Sequence, residues 1–84
     1  MKNKDINELK HFKRSFAQKL KYFREKKNLT AEALATQAEI HPVTVRKYEC
    51  EASLPTVASL LKLAEVLDVK VTDFFVDKEE LYDE

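Results

Sequence analysis

Histidine and cysteine, the side chains that most often bind zinc, are scarce in this 84-residue chain. The chain has two histidines, His11 and His41, and one cysteine, Cys50, and their spacing matches no zinc-binding pattern. Glycine is absent, which excludes a glycine-rich phosphate loop, and no arrangement of serine, histidine and carboxylate residues suggests catalysis. We therefore expect no metal, no cofactor and no enzymatic activity.

The cationic side chains of Arg46 and Lys47 have a different chemistry, since they carry positive charge and only donate hydrogen bonds. They lie within residues 30–50, where two short amphipathic segments flank a tight connection. The apolar faces consist of Leu34, Ala35 and Ala38 in the first segment and of Val45 and Tyr48 in the second. Because this spacing is typical of helix faces, the stretch predicts a helix-turn-helix with Arg46 and Lys47 exposed.

Length and composition are those of one small domain. The sequence has no apolar run long enough to span a membrane and no secretion leader, so we expect no membrane partner. The lone cysteine cannot form an internal disulfide, which fits a cytoplasmic protein. Without glycine, the turns must use Asn, Asp, Pro or a strained residue.

The formal charge of the chain is zero, but the charge is unevenly distributed. Residues 1–30 hold ten Lys and Arg against three Asp and Glu, a net charge of +7, whereas residues 31–67 carry −2 and residues 68–84 carry −5. A solvated basic surface with an acidic end would give the same distribution. The charge therefore supports a nucleic-acid partner only beside a more specific feature.

The hydrophobic periodicity predicts a compact all-α domain of four or five short helices. We adopt the architecture with five helices and an N-terminal helical extension. The first helix either runs to about Lys27 or breaks near Ser15, a possible N-cap. The other predicted helices are residues 31–38 after the N-cap Thr30, residues 42–50 beginning at Pro42, one after the N-cap Thr56 and a short one after the N-cap Thr72. We divide the chain into a helical extension (1–14), a helix-turn-helix domain (15–76) and an acidic tail (77–84).

From about Phe16 to Phe75 the chain resembles the lambda-repressor-like, Cro-type helix-turn-helix domain of the XRE family. The matching stretches are FAQKLKYFREKKNLT, LATQAEI, VRKYE and LPTVASLLKLAEVLDVKVTDFF. The resemblance implies a sequence-specific DNA-binding regulator, a repressor, whose helix beginning at Pro42 enters the major groove. It also implies that two copies bind a palindromic operator in double-stranded DNA as a homodimer, and that Arg24 and Glu49 form a partly buried ion pair.

The exposed residues of such a helix face the base edges, and residues near it on the neighbouring segments face the phosphates. The expected base-contacting residues are Pro42, Val43, Arg46 and Lys47. The expected phosphate-contacting residues are Thr30, His41, Thr44, Ser53, Thr56 and Ser59.

The chain departs from the family pattern at several positions. Ala31 stands where a phosphate-binding glutamine is common, and Pro42 and Val43 stand where polar base-reading residues are expected. Glu39 occupies the turn position that is usually glycine, and a positive φ there would strain it.

Two apolar surfaces could form the dimer interface, and either could instead cover the domain's own core. The C-terminal surface consists of Phe74, Phe75, Leu81 and Tyr82, and the N-terminal surface of Ile6, Leu9 and Phe12. The alternative function is a protein-interaction module, such as an antitoxin or an adaptor, that uses the same fold with weak or no DNA binding.

Overall fold

The computed structural model describes residues 3–75, and their side chains from residue 7 onward. The elements are α1 (Asn3–Lys26), α2 (Ala31–Ala38), α3 (Pro42–Glu49), α4 (Val57–Leu67) and a 3₁₀ turn (Val71–Phe74). The all-α prediction is confirmed, and no strand occurs in the described part of the chain. None of these helices is long and apolar enough to cross a membrane.

The first helix is continuous, which decides between the two alternatives that the sequence left open. It comprises 24 residues without a break at Ser15. The hydroxyl oxygen of Ser15 accepts a hydrogen bond from Lys19 Nζ one turn later, at 2.6 Å, so this side chain is used within the helix rather than as a cap. The backbone therefore shows no interruption between the extension and the domain that follows it.

The next three helices begin where the sequence predicts, because side chains satisfy their first backbone N–H groups. Thr30 Oγ1 accepts a hydrogen bond from the Ala33 N–H at 3.0 Å, and Thr56 Oγ1 accepts one from the Ser59 N–H, also at 3.0 Å. At the start of α3, His41 Nδ1 accepts from the Val43 N–H at 3.1 Å. Helix α3 therefore combines a histidine cap with a proline at its first position.

The predicted short fifth helix is a four-residue 3₁₀ turn rather than an α-helix. The backbone bonds span three residues, from the Phe75 N–H to the Thr72 carbonyl and from the Asp73 N–H to the Lys70 carbonyl, both at 2.9 Å. Thr72 lies inside the turn rather than capping it. The Asp73 carboxylate instead accepts a hydrogen bond from the Lys70 N–H at 3.0 Å and fixes the tighter geometry.

One hydrophobic core joins all five elements, and aromatic rings form its centre. Phe16 of α1 makes edge-to-face contacts with Tyr48 of α3 and with Phe74 of the 3₁₀ turn, at ring-centroid distances of 5.8 and 5.4 Å. Phe23 contacts Phe74 in the same way at 5.7 Å. Phe74 is completely buried, so its side chain belongs to the core rather than to a surface.

The turns of this glycine-free chain use residues with positive φ. Asn28, Glu39, Glu51 and Asp68 have φ between 58° and 64°, in the left-handed region that glycine occupies most easily. Glu39 follows α2, where the Ile40 N–H bonds to the Ala35 carbonyl at 2.9 Å and closes the helix end. Glu39 has the positive φ that would strain it, whereas the sequence analysis did not anticipate the positive φ of Glu51.

We predict that Glu39→Gly raises the free energy of unfolding by about 1 kcal/mol, because glycine adopts this backbone conformation without the Cβ clash. The melting temperature should rise by about 4 °C or more. Thermal unfolding followed by circular dichroism measures this change.

The matched control is Gln37→Gly, two residues earlier on an exposed position of α2. Its backbone is helical, so glycine should lower stability by about 1 kcal/mol. An unchanged or lower melting temperature for Glu39→Gly would show that the turn is not strained.

Candidate nucleic-acid interface

Helix α3 presents one face to the core and the opposite face to solvent. Val45 and Tyr48 are buried, as the apolar spacing predicts. Arg46 and Lys47 are exposed, together with Val43 in the first turn, while Pro42 is half-buried. Of the four expected base-contacting residues, the three beyond Pro42 are therefore accessible to a partner.

An ion pair between Arg24 and Glu49 joins the end of α1 to the end of α3. Arg24 Nε and Nη2 donate to the two carboxylate oxygens of Glu49 at 2.7 and 3.0 Å, a bidentate geometry. Arg24 Nη1 also donates to the Leu29 carbonyl at 2.8 Å in the connection to α2. One guanidinium thus fixes three parts of the chain.

Both partners of this pair are largely shielded from water, with side-chain exposures of 13% for Arg24 and 12% for Glu49. The hydrogen bond with Glu49 raises the pKa of Arg24 above its ordinary value, whereas partial burial acts in the opposite direction. The guanidinium therefore stays charged and able to pair with Glu49, which joins α1 to α3.

The expected phosphate-contacting residues differ in how they are engaged. Thr30, Thr56 and His41 cap helices through an acceptor atom, and Thr56 also donates its hydroxyl to Ser59 Oγ at 3.1 Å. Capping leaves the Thr30 hydroxyl proton and the second ring nitrogen of His41 for another partner. The remaining two expected residues, Thr44 and Ser53, are half-buried.

A second ion pair, which the sequence did not reveal, joins α2 to the exposed face of α3. Arg46 Nη1 donates to Glu32 Oε2, and the side chains are 48% and 62% exposed. Glu32 lies two residues after Thr30, so this contact brings the start of α2 beside Arg46. The sequence did not reveal this pair because fourteen residues separate its partners. In addition, an acidic residue in the first turn of a helix is equally explained by its favourable interaction with the helix dipole.

The structure brings one residue of each predicted apolar surface into contact. Phe12 of α1 stacks on Phe75 at a centroid distance of 5.3 Å. Phe75 is 53% exposed, and Leu9 lies exposed one turn before Phe12. We call Leu9, Phe12 and Phe75 the aromatic patch. Leu81, Tyr82 and the side chain of Ile6 lie outside the described residues.

A separate group of exposed apolar side chains lies on and before α4. It consists of Leu54, Val57 and Leu61, of which Leu61 is 56% exposed. The buried stripe of α4 instead runs through Leu60, Leu63, Ala64 and Leu67. Apolar composition alone does not distinguish these two faces, because the helix carries apolar residues on both.

The histidines and the cysteine do not form a cluster in the described residues. His11 and Cys50 are exposed, and His41 caps α3. The described part of the chain holds no group of three or more His, Cys, Asp or Glu residues arranged to bind a metal ion.

Comparisons with known proteins agree with this geometry. A family model for the HTH_3 helix-turn-helix matches residues 20–74. The crystal structure of an HTH_3 family transcriptional regulator from Vibrio cholerae is similar, with a TM-score of 0.77 and 29% sequence identity over 87% of this chain. The match covers 41% of the length of that regulator. No curated protein matches the chain.

We predict that Arg24→Met destabilises the fold by about 3 kcal/mol, because it leaves the shielded Glu49 carboxylate without a partner. The double variant Arg24→Met/Glu49→Met should lose less stability than the single variant, since no unpaired charge remains. Urea unfolding curves measure both.

Glu32→Gln is the matched control, because it removes one partner of the exposed pair. It should change the free energy of unfolding by less than about 1 kcal/mol. If the two single substitutions cost the same, the pair between Arg24 and Glu49 does not fix α3.

Proposed function

Because this chain belongs to the HTH_3 family of XRE-type helix-turn-helix domains, we propose that it is a DNA-binding transcription regulator whose helix α3 enters the major groove. The observation that carries the proposal is the two-sided burial of α3: Val45 and Tyr48 hold it to the core, while Arg46 and Lys47 are exposed. The ion pair between Arg24 and Glu49 supports it further, because a rigidly held helix can place side chains against base edges.

Base recognition rests mainly on Arg46. Its planar guanidinium can donate two hydrogen bonds to O6 and N7 of one guanine, which is worth about 1–3 kcal/mol of discrimination. Lys47 is a point charge that binds either a base or a phosphate, and Val43 offers an apolar contact to a thymine methyl group.

Phosphate contacts come from the starts of the helices and the residues beside them. The capping residues Thr30 and His41 keep a donor for this purpose. Thr44, Ser53, Thr56 and Ser59 complete the proposed set. These contacts fix the orientation of the protein on DNA without selecting a sequence.

The regulator acts in this proposal as a cytoplasmic repressor, and a homodimer binds a palindromic operator in double-stranded DNA. Two-fold symmetry of the protein would match the symmetry of the two half-sites, about one helical turn apart. We assign the dimer interface to the aromatic patch and to the segment that follows Phe75, because half-exposed aromatic rings are typical of interfaces. The function needs no cofactor, metal or catalytic residue.

We predict saturable binding to the duplex upstream of the protein's own gene, with an affinity that falls steeply with salt. Arg46→Ala should relax discrimination at one base pair by about 1–3 kcal/mol. The logarithm of the association constant for DNA should fall linearly with the logarithm of the salt concentration. If Lys47 binds phosphate, Lys47→Ala should make this slope shallower by about 1. Fluorescence anisotropy titrations at several salt concentrations measure these effects.

The matched control is Lys62→Ala, which removes the same charge from α4 beside the C-terminal end of α2. It should bind DNA like the unchanged protein. The absence of saturable binding at low salt would refute the proposal and favour a protein-interaction module.

A second prediction concerns the dimer. Phe75→Ser and Leu9→Ser should each shift the protein toward the monomer in sedimentation equilibrium, because they remove exposed apolar contacts from the aromatic patch. Both positions are about half exposed, so the fold should persist, which circular dichroism checks.

Leu61→Ser is the control for this experiment, since it removes a comparably exposed side chain from α4. It should leave the association constant unchanged. If Leu61→Ser alone dissociates the dimer, the interface lies on the exposed face of α4 and not on the aromatic patch.

A further inference from the structure

Glu32 places a carboxylate against Arg46, the residue that we propose to read a base. A carboxylate beside a DNA-reading arginine brings negative charge close to the phosphates and should lower affinity. An exposed ion pair of this kind also contributes little to stability, about 0–1 kcal/mol. The contact itself therefore adds little to folding and nothing to general DNA affinity, although Glu32 also interacts favourably with the N-terminal dipole of α2.

The geometry of the contact leaves Arg46 able to bind a base at the same time. A guanidinium has five N–H donors, and the contact with Glu32 uses one of those on Nη1. Within residues 7–75 the structure gives this side chain no further hydrogen bond, so its Nε and Nη2 donors are available. Recognition of guanine O6 and N7 requires two donors from one guanidinium.

We propose that Glu32 is a positioning residue that holds Arg46 in the orientation needed to read one guanine. The inference rests on the proposed DNA-binding function and adds a second residue to its specificity. Glu32 lies in the first turn of α2, and α2 packs against α3. The backbone that carries the Glu32 carboxylate is therefore held beside Arg46. An arginine anchored at one nitrogen loses less side-chain freedom when it binds a base.

The test uses the full chain and first defines the base pair that Arg46 reads. Selection of duplexes from a random library gives the preferred sequence, and Arg46→Ala identifies the position where preference is lost. Affinities are then measured for two duplexes that differ only at that base pair. Their ratio is the discrimination that Glu32 should control.

Glu32→Gln should lower this ratio by about fivefold, the factor that corresponds to a well-formed exposed ion pair. Glu32→Asp keeps the charge but is shorter by one methylene, so it should lower the ratio as well. In an Arg46→Ala background, Glu32→Gln should have no effect on the ratio. Thermal unfolding of the Glu32 variants should be nearly unchanged.

The matched control is Glu51→Gln, which removes the same charge from an exposed position just after α3. It should raise both affinities together and leave their ratio unchanged. If Glu32→Gln behaves in the same way, or if Arg46→Ala leaves the preference intact at every position, the positioning role is wrong while the proposed function stands. If no sequence is enriched by the unchanged protein, both the proposed function and this inference are wrong.

Discussion

The bidentate pair between Arg24 and Glu49 is the interaction on which the arrangement of the helices depends. Arg24 connects the end of α1, the Leu29 carbonyl before α2 and the last residue of α3. Helix α3 has only eight residues and a β-branched run, so it would be marginal by itself. Its buried residues Val45 and Tyr48 anchor one side, and the ion pair fixes its C-terminal end.

This rigid support contrasts with the exposed face that carries the proposed recognition. Arg46 and Lys47 lie on that face, and the pair between Arg46 and Glu32 is open to water. Exposed ion pairs are weak, so such a contact can orient a side chain without preventing it from binding a partner. The Arg24–Glu49 and Arg46–Glu32 pairs thus have different consequences because their burial differs.

The long first helix links the two ends of the described chain. Phe16 and Phe23 pack on Phe74 inside the core, and Phe12 stacks on Phe75 at its edge. Phe12, which lies in the predicted extension, thus packs against the residue that follows the 3₁₀ turn. Two segments that are distant in the sequence thus contribute neighbouring rings, Phe12 and Phe75, to the aromatic patch.

Local chemistry made much of this protein predictable from its sequence. Helix positions, their caps at Thr30 and Thr56 and the buried face of α3 follow from spacing and capping preferences, which act over a few residues. The partnership of Arg24 and Glu49 was implied only by family resemblance. The continuity of α1 remained open, because a serine can either cap a helix or bond within it.

Tertiary structure alone decided the remaining features. It buried Phe74 and left Phe75 exposed, formed a 3₁₀ turn in place of a fifth helix, and left Leu61 outside the core. It also brought Glu32 to Arg46. Each of these outcomes depends on which segments distant in sequence pack together. Residue types and local spacing determine helices and their faces, but they do not specify which faces meet.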